Sequence, residues 1–70
     1  MKKFDVSADG RYIAIHGRFG NIYIICADTK QQIGTLKMNE EVSSVCFTRD
    51  GKMYSHGGNY VYLWDIAARR

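Results

Sequence analysis

The 70-residue sequence predicts an all-β fold built from short antiparallel strands. Three observations predict it: short runs alternate apolar and polar residues, Asp-Gly turns recur, and the chain repeats itself once with a period of about 40 residues. Residues 4–11 return as residues 45–52, and residues 22–26 return as residues 61–65. The two offsets are 41 and 39, so we expect the second copy to be two residues shorter in its middle loop.

The first copy contains four predicted strands, each bounded by turn-forming residues. Its first run alternates, with Phe4 and Val6 on one face, which predicts a half-buried strand. Asp9 and Gly10 supply the next turn, because Asp bonds local amides and Gly tolerates positive φ. The next two runs are rich in β-forming residues, and the fourth is more polar, as edge strands are. The predicted strands span 3–7, 11–16, 21–26 and 31–37.

The second copy repeats this order and stops one strand short. Asp50 and Gly51 supply its first turn, residues 57–59 its hairpin loop, and Trp64 and Asp65 close its last strand. The predicted strands span 43–48, 52–56 and 60–66. We therefore expect one complete four-stranded antiparallel unit and three strands of the next.

These features resemble the WD-repeat β-propeller family, whose repeat has a similar length and ends a strand in Trp-Asp. Residues 42–51 and 61–65 carry the resemblance. It implies that 1–70 is a single partial propeller segment, with a degenerate repeat at 3–38 and an incomplete one at 42–70. It also implies structural roles for six turn and strand-end residues: Asp9, Gly10, Asp50, Gly51, Trp64 and Asp65.

The chain departs from the family pattern at three places, one of which is that neither middle loop carries the expected Asp, with Phe19 and Gly58 or Asn59 nearest that place. Ile25 and Cys26 stand where the family has Trp-Asp, and Met38 and Asn39 stand where it usually has Gly-His. The family's His–Asp–Ser/Thr–Trp hydrogen-bond network is therefore not expected in full. Replacing all members of such a network by apolar groups can be nearly neutral for stability.

A narrower resemblance concerns the WD-repeat proteins of the nucleolar small-subunit processome, which associate with a small nucleolar RNA and support 18S ribosomal RNA maturation. Residues 4–10, 33–39 and 61–65 carry it, in this order and spacing. It implies a nuclear, nucleolar, non-catalytic scaffold that binds other proteins of a large ribonucleoprotein, with any RNA contact indirect. Two alternatives stay open: a WD-repeat adaptor of another pathway, such as ubiquitin ligation or signalling, and a direct RNA-binding module.

No catalytic, metal or cofactor site is expected from the polar residues. Two cysteines and two histidines lack the close pairing of zinc ligands, and the cysteines are expected to stay reduced. Asp9 and Asp50 are repeat-equivalent turn residues rather than a catalytic pair. No apolar run approaches 18 residues, so no membrane span is expected.

Partner contacts are expected on loops and strand ends, where function usually lies. The net charge is +3, which permits contact with an acidic partner without requiring it. Neighbouring blades or self-association are needed to cover the apolar faces, because one or two such units cannot bury them alone. The candidate partner-binding residues are Lys2, Lys3, Arg18, Phe19, Asn59 and Tyr60.

Overall fold

A computed structural model describes residues 3–66 and confirms the all-β prediction. Seven strands form two antiparallel sheets, and no helical element occurs in this part of the chain. The strands are β1 (Phe4–Val6), β2 (Tyr12–His16), β3 (Asn21–Cys26), β4 (Gln32–Lys37), β5 (Ser44–Phe47), β6 (Lys52–Gly57) and β7 (Tyr60–Asp65). The first sheet has the order β1-β2-β3-β4 and the second β5-β6-β7, consistent with partial propeller blades.

The pairing register shows where the second copy loses two residues. Val6 pairs with Ile13, and the repeat-equivalent Phe47 pairs with Met53. The difference in number between equivalent residues therefore falls from 41 to 40 across the turn between the first two strands of each sheet. It falls to 39 across the hairpin loop that follows. The expectation that both residues are lost in the middle loop was wrong, because each of two turns gives up one residue.

The turn between β1 and β2 is closed by side-chain hydrogen bonds. The Ser7 hydroxyl donates to Asp9 Oδ1 at 2.7 Å and accepts from the Tyr12 N–H at 3.0 Å. Gly10 has a φ of 75°, a left-handed conformation that favours glycine. These contacts explain why Ser, Asp and Gly occur together at this turn.

The turn between β5 and β6 is built in the same way. Thr48 donates its hydroxyl hydrogen to Asp50 and accepts from the Lys52 N–H at 3.2 Å. Gly51 has a φ of 86°. The two Asp-Gly turns are therefore structural equivalents, each starting the second strand of its sheet.

One hydrophobic core lies between the two sheets. Side chains alternate along each strand, so each sheet turns one face to this core and the other away from it. Met38 and Val42, in the connection between the sheets, complete the core. The buried apolar residues are Ala14, Ile22, Ile24, Leu36, Met38, Val42, Val45, Met53 and Ile66.

The outward side of the first sheet is an apolar surface, which we call the first open face. It carries Phe4, 60% exposed, Val6, 45% exposed, and Ile15, 37% exposed. The expectation that Phe4 and Val6 form the buried side of their strand was wrong. The inward position between them belongs to Asp5, whose Oδ2 accepts the Phe47 N–H from the second sheet at 2.8 Å.

The outward side of the second sheet, the second open face, is also apolar. Tyr54, Val61 and Leu63 lie on it, exposed by 45%, 64% and 55%. Cys46 lies beside them and is also exposed. Within residues 3–66 the two-sheet stack therefore has an exposed apolar face on either side. In residues 3–66 no helix is long and apolar enough to cross a membrane.

Candidate interaction surface

The predicted partner-binding residues that the structure describes lie together at one end of the sheets. Arg18 and Phe19 form the hairpin loop after β2, and Asn59 and Tyr60 lie in and after the loop following β6. Lys3 lies beside them, because its carbonyl accepts the His16 N–H at 3.1 Å. All except His16 are exposed. Lys2, the sixth predicted residue, lies outside the described residues.

The connection from β4 to β5 passes between the two hairpin loops and holds them in place. The Met38 N–H donates to the Gly20 carbonyl at 2.8 Å. A Cβ atom on Gly20 would lie 2.3 Å from the Met38 carbonyl oxygen, and one on Gly57 would lie 2.3 Å from that of Glu41. Glycine is required at both positions because the crossing backbone leaves no room for a side chain.

Phe19 is held in an unusual backbone conformation at the tip of the first loop. Its φ is 62°, which is rare for a bulky residue and costs of order 1–3 kcal/mol. Its N–H donates to the Glu41 carboxylate at 2.7 Å, and its side chain is 71% exposed. The loop therefore presents an aromatic ring to solvent from a constrained backbone.

The end of the sheets that carries the hairpin loops after β2 and β6, which we call the loop end, has charges of both signs. Lys3, Arg18 and Lys37 are exposed, while Glu40 and Glu41 lie in the crossing connection. Phe19 and residues 37–41 line a shallow groove that carries one basic side chain, Lys37, and two acidic ones, Glu40 and Glu41. Glu40 Oε1 is buried and has no hydrogen-bond partner within residues 3–66. The surface thus offers an aromatic side chain flanked by both basic and acidic groups.

Sequence reasoning missed the part played by the glutamates. Residues 39–41 are polar and lie between the two repeats, and no local pattern marks Glu41 as the partner of an amide 22 residues earlier. The bond depends on how the two sheets stack, which periodicity along one strand does not report.

Trp64 lies in the second sheet, half-buried against the core. Its indole Nε1–H donates to Ser55 Oγ at 2.8 Å, and Ser55 is fully buried. The Tyr62 ring stacks on the indole with a centroid distance of 5.8 Å. Asp65 is exposed, and residues 3–66 provide no hydrogen-bond donor to its carboxylate.

The opposite end of the sheets carries the two Asp-Gly turns. The Ser7 hydroxyl and the Arg11 backbone N–H lower the pKa of Asp9 from its ordinary value of 3.8. The Thr48 hydroxyl does the same to the pKa of Asp50. Both carboxylates are exposed and occupied by turn contacts, so this end is organised for structure.

Metal-binding geometry is absent from residues 3–66, where no three His, Cys, Asp or Glu side chains are grouped to hold an ion. Cys26 and Cys46 are both free thiols. Hydrogen bonding from Thr29 lowers the pKa of the Cys26 thiol.

Sequence comparison relates the chain to one set of named proteins. It is similar to U3 small nucleolar RNA-associated protein 18 homologues. Identity is 44% over 68 residues with the Arabidopsis thaliana protein, covering 94% of this chain and 12% of that relative. It is 35% over 72 residues with the Homo sapiens protein, covering 100% of this chain and 13% of that relative.

A third relative is the probable U3 small nucleolar RNA-associated protein 18 of Schizosaccharomyces pombe, 41% identical over 51 residues that cover 73% of this chain. No protein-family model matches the chain. The chain spans about an eighth of the length of the first two relatives. The similarity therefore concerns one short segment of longer proteins.

Proposed function

We propose that this chain is a segment of a WD-type β-propeller that serves as a non-catalytic protein-binding scaffold in a nucleolar ribonucleoprotein. The observation that carries the proposal is the similarity to U3 small nucleolar RNA-associated protein 18 homologues over 94–100% of the chain. The proposed role is in processing of pre-18S ribosomal RNA and assembly of the small subunit, in the nucleolus.

The fold supports a propeller origin. Two repeat-equivalent antiparallel sheets are stacked with one core between them, and in each an Asp-Gly turn joins the first strand to the second. The Trp64–Ser55 hydrogen bond corresponds to the Trp and Ser/Thr members of the network that the family resemblance implies. The His and Asp members have no counterpart at the expected places, because Met38 and Asn39 stand where the family has Gly-His and the second middle loop, residues 57–59, holds no Asp.

The loop end supports protein binding over direct RNA binding. RNA-binding surfaces pair aromatic side chains with a continuous positive groove. Here Glu40 and Glu41 interrupt the basic residues, and Phe19 is the most exposed large apolar side chain in residues 3–66. An exposed aromatic beside charges of both signs suits a protein partner, since aromatic and Arg side chains dominate protein interfaces.

The proposal is tested by recovery of U3 small nucleolar RNA from nucleolar extract on the immobilised chain. We expect enrichment of U3 over an unrelated small nucleolar RNA, and its loss in an Arg18→Ala/Phe19→Asn variant. Arg49→Ala, exposed at the opposite end, is the matched control and should retain recovery. Absence of U3 enrichment with the wild-type chain would overturn the proposal.

The same chain is then mixed with purified U3 RNA alone. We expect weak, sequence-indifferent binding. Tight, sequence-specific binding whose affinity falls steeply with salt would instead establish the direct RNA-binding alternative, because phosphate contacts release counterions.

A further inference from the structure

The first hairpin loop has an aromatic residue at a position where the second loop has glycine. Strands β3 and β7 are equivalent, and counting back from them makes Phe19 the counterpart of Gly58. The two residues have almost the same backbone conformation, with φ of 62° and 57°. Glycine adopts this conformation freely, whereas a bulky residue adopts it only where the surrounding structure holds it. The first loop therefore depends on a contact that the second loop does not need.

Glu41 supplies that contact from the connection between the two sheets. Its carboxylate accepts the Phe19 N–H at 2.7 Å. The backbone of Glu41 is itself fixed, because its carbonyl oxygen lies where a Cβ on Gly57 would come within 2.3 Å, and because the next residue, Val42, is buried. One residue thus packs on the second loop and bonds to the first.

Lys30 shows how local contacts hold the same kind of conformation. Its φ is 64°, and within residues 3–66 it is the other non-glycine residue with a positive φ. Its N–H donates to the Cys26 carbonyl at 2.8 Å and its Nζ to the Ala27 carbonyl at 2.9 Å, both in the same turn. The Phe19 amide instead bonds a side chain 22 residues further along the chain. The first hairpin loop is therefore tied to the path of the connection between the sheets.

We infer that Glu41 is a positioning residue of the loop end, which acts on a binding partner through Phe19. By fixing the Phe19 backbone it holds the exposed ring in one place relative to Tyr60, which is exposed after the second loop. A partner then meets both aromatic side chains without having to order the first loop. Such preorganisation strengthens binding, because less conformational entropy is lost. The inference rests on the proposed function, in which the loop end binds a protein.

Two substitutions test the contact itself, without any partner. Glu41→Ala removes the acceptor, and Glu41→Gln keeps a side-chain oxygen in its place. Hydrogen exchange of the Phe19 amide is followed by NMR. We expect exchange to be about tenfold faster in Glu41→Ala, because a hydrogen bond to a charged group is lost, and intermediate in Glu41→Gln. Circular dichroism confirms that each variant keeps its sheets. The matched control is Asp28→Ala, which removes an exposed acidic side chain at the opposite end and should exchange like wild type.

The consequence for binding is measured as recovery of U3 RNA from nucleolar extract on the immobilised chain. We expect Glu41→Ala to recover about fivefold less U3 than wild type, because the partner must then order the loop. Glu41→Gln should restore part of the recovery, and Asp28→Ala should equal wild type. Phe19→Asn removes the ring but keeps a residue that tolerates positive φ. In that background Glu41→Ala should cause no further loss, because Glu41 acts through the ring.

Four results count against these expectations, and they are distinguishable. Unchanged exchange of the Phe19 amide in Glu41→Ala would show that the carboxylate does not hold the loop, which overturns the inference. Faster exchange with undiminished U3 recovery would overturn it too, while the proposed function stands. A further loss of recovery in the Phe19→Asn background would mean that Glu41 touches the partner directly and is not a positioning residue. A wild-type chain that recovers no U3 would overturn the proposed function and, with it, the role of Glu41 in binding.

Discussion

The two sheets share one strand plan but fill equivalent positions with different chemistry. In the second sheet Ser55 and Trp64 form a hydrogen bond beside the core. The equivalent positions in the first sheet hold Ile15 and Ile25. Because both partners are apolar there, neither leaves an unsatisfied polar group, which would cost about 1–3 kcal/mol when buried. The repeat therefore preserves which strands pair and which residues stand opposite one another, while the two side chains of an equivalent pair change together.

The strongest test of this equivalence compares Ile24 with Leu63. Ile24→Ala should lower the free energy of unfolding by about 3–4 kcal/mol, because Ile24 is 2% exposed and its truncation leaves a cavity. Leu63→Ala should cost about 0.5 kcal/mol or less, because Leu63 is 55% exposed. Urea unfolding of dilute, monomeric protein measures both. Equal costs would contradict the stacking of the sheets.

The next largest effect is expected at Trp64. Trp64→Ala should cost about 2–3 kcal/mol, less than for a fully buried indole, because the ring is half-buried. Trp64→Phe keeps a ring but leaves the buried Ser55 hydroxyl unpaired, and should cost about 1 kcal/mol. An unchanged urea midpoint in the alanine variant would show that the bond and the packing contribute nothing to stability.

A smaller effect distinguishes two glycines. Gly57→Ala should cost about 2 kcal/mol, because its Cβ would lie 2.3 Å from the Glu41 carbonyl oxygen. Gly34→Ala, with nothing within 4 Å of the new Cβ, should stabilise the strand by about 0.5 kcal/mol. Thermal unfolding of the pair tests whether the crossing connection is as tight as described. Similar values for both would argue against that close approach.

The smallest effect is the pH dependence of the two Asp-Gly turns. Turn hydrogen bonds lower the pKa of Asp9 and Asp50 below 3.8 in the folded chain. The stability they contribute is therefore full above the unfolded value and is lost as pH falls through the folded pKa. Below about pH 4 the urea midpoint of wild type should decrease as the pH falls. In the Asp9→Asn/Asp50→Asn variant it should decrease less steeply with pH. If the urea midpoint depends on pH in the same way in both proteins, these two turns do not contribute to acid sensitivity.

Strand positions could be predicted to within one residue at every end, because alternation and Asp-Gly turns are local signals. Which side of each strand faces the core could not be predicted from the sequence. Phe4 and Val6 read as a buried side because they are apolar, yet both sides of the first sheet are apolar. Which side is covered depends on the stacking of the second sheet, to which the Asp5 contact with Phe47 belongs.

The loop end could be predicted in part. Glycines mark the positions of the two hairpin loops, Gly17 and Gly20 in the first and Gly57 and Gly58 in the second. Their meeting at one end follows from the repeat, since equivalent loops of stacked sheets lie on the same side. The strained backbone of Phe19 and its bond to Glu41 arise from contacts between distant segments, so they had no sequence signal.

The order of strands within each sheet has a consequence for how the molecule folds. Every paired strand is adjacent in sequence, so each sheet assembles from hairpins that close short loops. Contacts between distant residues lie where the two sheets meet, as when Asp5 bonds Phe47 across 42 positions, and at the crossing connection, as when Phe19 bonds Glu41. Local pairing is fast and distant pairing is slow. The sheets should therefore form early as separate meanders, and their docking should set the overall folding rate.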